Sequence, residues 1–453
     1  MNELQHVNKS PFDIPNVKRF VEFRIFFNSR FYYPVFTILF LDFGLTVSQF
    51  AILNAVWAAS IVLLEVPSGA LADTIGRRNL LVFAGAIMIV EIAILCFLPL
   101  HVPGILFPAF IVNRILSGAA EAAASGADEA IAYDSLKNDG YENDWGLVLE
   151  TQMRMKAVFY ILAMSIGAAV YDPDLMNNVS IFFGFSLRFT QEMTLRFPLY
   201  LTLVMAVLTF ITTIRMKEVT DFDDAGYKPI GTSFSSIRES LVITLKAGKW
   251  ILNTPFAFSV ILAAMLFDHV LRMFITLNSQ YLRAIHLPEA SFGLIGSALA
   301  VLGLFIPRVA RHLAEKSRPG KNLFILAGAT FIGLTGLTFF IPYYGVIPVA
   351  LLSSLMYFVG FLTSHYINKI ADSKTRATVL SFKGLSFNIA YGAVGIFYSI
   401  LYARLKSGYS DVSTEVAENK AFMDSITWFP GYFVLLFALY LIYILFIKEK
   451  IKI

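Results

Sequence analysis

The chain has 453 residues, of which 57% are hydrophobic, 15% aromatic and only 15% charged, with a formal net charge of +4. No water-soluble domain of this size has such a composition, and 43 Phe with 20 Tyr fit a surface that faces lipid and carries aromatic belts at its interfaces. The small positive balance is then information about topology, not a nucleic-acid footprint, so no nucleic-acid partner is expected.

Residues Met1 to Phe20 hold Lys9, Pro11, Pro15, Lys18 and Arg19 and no apolar run. No cleavable signal peptide is read there, and the first span is expected to direct insertion itself. Taking about twenty apolar residues per span, about twelve helices follow, at 24–41, 49–71, 79–99, 105–131, 146–170, 196–216, 251–279, 290–312, 322–341, 344–368, 376–402 and 428–447. The fourth is unusually long, and Ser125-Gly126-Ala127-Asp128-Glu129 interrupts its apolar pattern, so a break is expected near Gly126. The single cysteine, Cys96, lies in an apolar run and can form no disulfide within the chain. If the N-terminus is cytoplasmic, about twenty-two Lys and Arg fall on the cytoplasmic side, and only Arg188, Arg196, Arg283, Arg404, Lys406 and Lys420 fall on the other. That asymmetry places both termini in the cytoplasm and requires an even number of spans.

The longest polar connection, 217–250, lies mid-chain with Asp221, Asp223, Asp224, Gly226, Pro229 and Gly231. It divides the chain into an N-terminal six-helix bundle (1–216), a cytoplasmic linker (217–250) and a C-terminal six-helix bundle (251–453). Two further long loops, about 171–195 and 403–427, are expected on the opposite side. The fold class is therefore an all-α membrane protein of twelve transmembrane helices in two bundles, with any substrate site between them near the bilayer midplane.

Between spans two and three the chain reads Leu64-Glu65-Val66-Pro67-Ser68-Gly69-Ala70-Leu71-Ala72-Asp73-Thr74-Ile75-Gly76-Arg77-Arg78-Asn79. Gly69 lets a neighbouring helix approach closely, Gly76 permits a turn with positive φ, and Arg77 with Arg78 hold the turn in the cytoplasm. Asp73 needs a positive partner, such as a helix N-terminus. Fixing topology alone would require neither the aspartate nor the glycines. This stretch resembles the signature loop of the major facilitator superfamily, Gly-x-x-x-Asp-x-x-Gly-Arg-Arg/Lys. The resemblance implies a conformational latch in which Arg77 pairs with a carboxylate at the end of span four, best matched by Asp134, while Asp73 meets the start of span eleven at Asp372-Ser373-Lys374-Thr375-Arg376-Ala377. The equivalent loop of the second half, from Gly303 to Arg318, stays basic but has Pro307 in the aspartate slot. It reads as a degenerate repeat.

Span four carries Asn113-Arg114-Ile115-Leu116-Ser117-Gly118-Ala119-Ala120-Glu121. An arginine at mid-membrane must find a partner, and Gly118 and Glu121 share its helical face. This resembles the family's second motif, Arg-x-x-x-Gly, which implies a place on a path of charge movement; a structural arginine bonded to carbonyls or to Glu121 is the alternative. Other charges at membrane depth are Arg30, Glu65, Glu91, Arg154, Lys156, Asp268, Arg272 and Lys383. Glu91 has no evident partner. Asp268 and Arg272 stand four apart in the acid-first order and either neutralise each other or contact substrate. In the family, spans one, four, seven and ten line the cavity, which singles out Arg30, Arg114, Asp268, His269, Arg272 and His365, with Lys383 as a further candidate. A membrane carboxylate with a raised pKa can carry a proton near neutrality, so Glu65, Glu121, Asp128 and Glu129 are candidates for proton coupling.

Enzymatic arrangements are missing: no Gly-x-x-x-x-Gly-Lys-Ser/Thr loop cradles phosphate, and the six histidines show no zinc spacing. No metal, cofactor or enzymatic activity is expected. The family's Gly-Pro-x-x-Gly-Gly run in span five is absent, that helix reading Ile161 to Val170 with only Gly167, which argues against a drug/proton antiporter. The sequence thus points to an inner-membrane secondary transporter acting as a monomer in the lipid bilayer, moving a small-molecule substrate by alternating access with protons as coupling ion. The alternatives are an uncoupled facilitator of a small organic anion or zwitterion, and a non-transporting receptor or lipid-handling protein on the same scaffold.

Overall fold

In lipid a chain can satisfy its backbone polar groups internally only as a helix or a closed barrel, and the described residues are helical with no strand among them. The computed structural model describes residues 10–100, 102–185, 187–218, 249, 251–370 and 376–447. Eleven of its helices are long and apolar enough to cross a membrane. The remaining span, the first of the twelve expected, is in two pieces, Pro15–Asn28 and Phe36–Asp42, with a 3-10 turn at Tyr33–Val35 between them.

That break frees amides that lipid cannot satisfy, and other helices supply the acceptors. The Phe31 amide donates to Thr202 Oγ1 at 3.0 Å, and the amides of Thr37 and Ile38 donate to Ser279 Oγ at 2.9 and 3.3 Å. Span five accommodates the break through Gly167, where a Cβ would stand 1.8 Å from the Phe31 carbonyl oxygen. A continuous helix over 24–41 was the expectation; Pro34, at the start of the 3-10 turn, has no amide to continue the ladder.

The second span is Val47–Ile75, opened by a capping box in which Thr46 and Gln49 exchange side-chain and backbone hydrogen bonds. Gly76, at φ +90°, alone separates it from the third, Arg77–Phe97. The fourth is indeed broken, into Pro103–Ala124 and Ala127–Asn138, with Gly126 in the left-handed conformation between them. Then follow Trp145–Tyr171, Phe197–Ile214, Pro255–Thr276, Ala290–Lys316, Pro319–Leu337, Val346–Ile370, Arg376–Ser407 and Thr414–Ile447 as spans five to twelve.

The expected loop at 403–427 is mostly helix: span eleven runs to Ser407 and span twelve starts at Thr414. Polar ties extend both helices past their apolar stretches, Lys406 Nζ meeting Glu418 at 2.5 Å and Tyr409 donating to Asp424. The 171–195 connection likewise holds a helix, Pro173–Phe182. Nearly all of the 217–250 linker lies outside the described residues.

Spans one to six pack on one another, as do seven to twelve, and the two sets meet chiefly where span two crosses eleven and span five crosses eight. Small residues allow both crossings. A Cβ on Gly293 would stand 2.1 Å from the Met164 carbonyl oxygen, and one on Gly395 3.0 Å from that of Ala51. The largest apolar cluster runs through both sets, including Phe40, Phe50 and Phe110 from the first and Phe267, Phe274 and Tyr281 from the second, and smaller clusters lie within each set.

Candidate functional site

At the signature-loop end, Arg77 forms an ion pair with Asp134 at the tail of span four. Two partners of this loop were not foreseen. The Glu218 carboxylate accepts from the Arg77 and Arg78 amides at 3.1 and 2.9 Å, an anion on the exposed N-terminus of span three. Arg78 in turn donates through Nη2 to the Ile214 carbonyl at 3.0 Å and through Nε to that of Met216 at 3.1 Å, capping the C-terminus of span six. The only sequence signal was the adjacency of Glu218 to that helix end. The side chains of Gly69's surroundings and of Asp73, and the start of span eleven, fall outside the described residues, as does any contact between them. Glu65, half-buried one turn before Ser68, has no polar partner among the described residues, while Ser68 Oγ donates to the Ala122 carbonyl of span four at 2.7 Å.

Deeper in the first bundle the charges sort into closed pairs and open ones. Arg30, 4% exposed, pairs with Glu91, which is 0% exposed, so the acid without an evident partner has one. The break in span one turns Arg30 into the bundle, where Nε also donates to the Phe27 carbonyl at 3.3 Å. Asp128 and Glu129, in the first turn after Gly126, are both held by Arg24 of span one, with Arg24 Nη2 at 2.6 Å from Glu129. Arg114 differs. Its guanidinium lies over the Phe36 and Phe40 rings at 5.5 and 5.3 Å and donates to Asn113 Oδ1 at 3.0 and 2.9 Å, and no carboxylate among the described residues pairs with it. The structural alternative, an Arg114 bonded to Glu121, is not formed. Seven helical residues separate the two by about 10.5 Å along the axis, beyond ion-pair reach although they share a face. Glu121 is exposed and forms no ion pair among the described residues.

Across the boundary, Arg272 Nη2 donates to Asp268 at 2.9 Å and Nη1 to Asn388 Oδ1 at 3.0 Å, with the guanidinium 5.3 Å from the Tyr391 ring. Tyr391 Oη meets Thr276 Oγ1 of span seven at 2.9 Å, and the Thr276 carbonyl accepts from Thr37, the residue next to the Phe36 on which Arg114 lies, which brings spans one, four, seven and eleven to one place. Lys383 stands 5.7 Å from the Phe387 ring and also feels Asp268. His269 is turned away from this place: its ring nitrogens meet the Met265 carbonyl at 2.5 Å and Tyr432 Oη of span twelve at 3.0 Å. His365 stacks on Phe361 and abuts Tyr366 on its own helix.

At the end opposite the signature loop stands a polar cluster the sequence reading missed. Arg283, after span seven, donates through Nη1 and Nη2 to both oxygens of Asp42 at the end of span one, each at 2.8 Å, and through Nε to Glu289 at 2.8 Å. Tyr171 and Gln191 also donate to Asp42, at 2.5 and 3.1 Å. Asp172 Oδ2 accepts from the Ala290 amide at the start of span eight at 3.0 Å. Thr37 with Thr276, Ser48 with Ser399 and Ser165 with Ser297 tie the bundles at the same end. Burial holds the Glu289 carboxyl above its ordinary pKa, with Arg283 opposing, and the neighbouring acids hold the Arg283 guanidinium firmly charged. The signal was there: Arg283 is one of the few cations on that side. The bonds between the two halves named here gather at this end and reach as deep as the crossing itself, where Ser297 Oγ also donates to the Ile161 carbonyl at 3.3 Å.

A two-bundle array of membrane helices, joined at one end with charged side chains meeting between the bundles, defines an integral membrane transporter fold. A family model for the Major Facilitator Superfamily matches residues 20–395, and the chain belongs to that family. Among solved structures it is similar to the nucleoside transporter NupG, at 14% identity over 96% of this chain and 98% of that one, TM-score 0.69. It is also similar to a bacterial homolog of the human lysosomal transporter Spinster in an inward-facing and unoccupied conformation (15% identity, 95% and 96% covered, TM-score 0.67) and to a D-xylose–proton symporter (14%, 92% and 97%, TM-score 0.59). No curated protein matches the chain in sequence.

Proposed function

We propose that this chain is a secondary transporter of the cytoplasmic membrane that moves a small anionic or zwitterionic solute by alternating access, coupled to protons. The observation that carries this reading is the uncompensated Arg114, a membrane cation with no carboxylate partner among the described residues, linked through Phe36, Thr37 and Thr276 to the Arg272–Asp268–Tyr391 group of the other bundle. A buried cation that the protein does not neutralise is matched by an anion from elsewhere. Isolated structural pairs, the pattern of a non-transporting scaffold, account for Arg30–Glu91 and Arg24–Asp128 but leave Arg114, Glu121 and Lys383 unexplained.

With the positive-inside asymmetry the signature loop is cytoplasmic, and the joined end faces out. The conformation is then inward-facing. The bundles are 1–216 and 251–453, the linker is 217–250, and the unit is a monomer. Gly69, Asp73, Gly76, Arg77, Arg78 and Asp134 form the inner latch: the Arg77–Asp134 pair holds the loop within the first bundle, and the meeting of Asp73 with the start of span eleven is the contact that closes when the outer cluster opens, so that two sets of contacts compete for one rocking motion. Of the coupling candidates, Asp128 and Glu129 are engaged by Arg24, which leaves Glu121 first and Glu65 second.

Substrate uptake into proteoliposomes, with and without an imposed pH gradient, tests this. Glu121→Gln keeps the shape of the neutral acid and is expected to retain exchange while losing gradient-driven accumulation. Unchanged accumulation would remove Glu121 from the mechanism, and a parent protein indifferent to the gradient would establish the uncoupled facilitator instead.

A further inference from the structure

We propose that the connection between spans five and six is a membrane-inserted wedge, whose apolar tip enters the bilayer interface at the end opposite the signature loop. Helix Pro173–Phe182 starts directly after span five, capped by Asp172, and turns back at Gly184, φ +76°. Its tip presents Ile181, Phe182, Phe183, Phe185 and Leu187 at 72%, 83%, 66%, 61% and 62% exposure. Two of its polar side chains, Asn177 and Ser180, face the other way, while Asp174 and Asn178 nearer the base stay exposed. Asn177 exchanges two hydrogen bonds with the Phe189 backbone, at 3.0 and 2.7 Å, and the buried Ser180 donates to the Phe185 and Leu187 carbonyls at 3.2 and 3.1 Å.

The tip is turned inside out: its returning backbone is satisfied by Asn177 and Ser180 on the inner side, with apolar and aromatic side chains outermost. Water penalises that arrangement, and a contiguous apolar patch of this kind marks an interaction surface. Lipid requires it, because no water is present to satisfy a stray amide or carbonyl. The occupant is the bilayer and not a soluble partner, because the two spans that the tip joins also expose apolar side chains along their lengths, as lipid-facing helices do. Val158, Leu162 and Ile166 of span five and Tyr200 and Val204 of span six are also exposed. Exposed Arg188 lies beside the tip, placed for a lipid phosphate as cations flanking interfacial segments are. The wedge is tied to the closed end, since Asp172 both caps its helix and accepts from Ala290 of the other bundle.

Nitroxide labels at Phe182→Cys and, separately, Leu187→Cys, in a Cys96→Ala background, give the test in phosphatidylcholine–phosphatidylglycerol proteoliposomes. Power saturation is expected to show both labels several-fold more accessible to oxygen, which partitions into lipid, than to a water-soluble nickel chelate. Greater access to the chelate would overturn the wedge and make the tip a water-facing surface. Protection from both reagents would overturn it in favour of contact with a second copy. Phe182→Asp with Phe183→Asp alters only exposed side chains and is expected to shift the label at position 187 towards the chelate; no shift would show that the aromatic tip does not hold the segment in lipid.

Discussion

Arg30 and Glu91 pair where neither charge meets water. Removing one partner of such a pair costs about 3–5 kcal/mol because the other charge stays buried, whereas replacing both with apolar residues costs much less. Glu91→Gln is therefore expected to lower thermal stability markedly, and Arg30→Met with Glu91→Leu to recover most of the loss in a detergent melting assay. Equal damage in single and double variants would show that the site depends on charge for more than pairing. Glu289 makes a different prediction. Burial raises its pKa in the closed cluster, with Asp42 and Asp172 adding to the effect and Arg283 opposing it. The closed end thus holds a proton more tightly than an opened, hydrated one, so closure gains as pH falls and the gain is lost as pH rises through the raised pKa. Distances between spin labels on the two bundles at this end should show a larger closed fraction in mild acid, and Glu289→Gln should flatten the dependence.

Helices five and eight cross through Gly293, whose position against the Met164 backbone leaves no room for a side chain. Backbone cannot move aside as a flexible side chain can, so Gly293→Val is expected to pry this end apart. Ser165 and Ser297, with hydroxyls 3.2 Å apart, report on it. A Ser165→Cys, Ser297→Cys pair in a Cys96→Ala background should crosslink readily, and several-fold less once Gly293 is Val; unchanged crosslinking would mean that this crossing does not set the closed state. Span one makes the complementary point. Its break survives because Thr202 and Ser279 replace the lost helical bonds, so these hydroxyls belong to the helix they do not lie in.

At the scale of the whole molecule the two bundles meet through a large apolar core and close glycine crossings, which can hold without a covalent link. Halves split near Gly231 and co-expressed are expected to associate in the membrane and copurify. Separate insertion without association would refute the division proposed at 217–250. The number of spans, the signature loop and the break at Gly126 were legible in the sequence, because lipid imposes a long apolar period and because glycine at a polar interruption has local consequences. The break in span one was not, since an apolar run with one proline looks like a continuous helix until hydroxyls from span six and from the short helix after span seven take up its amides. Nor were the partners of the membrane charges. Glu121 shares a face with Arg114 but lies two turns away, whereas Arg30 reaches Glu91 across 61 residues of sequence, and Asp42 reaches Arg283 across 241. The sequence by itself determined the class of protein, because solvation in lipid acts on every residue of a span. Only the tertiary structure decided which charges are neutralised, which stand open and which end is joined, because electrostatic pairing acts over a few ångströms in space and does not depend on separation along the chain.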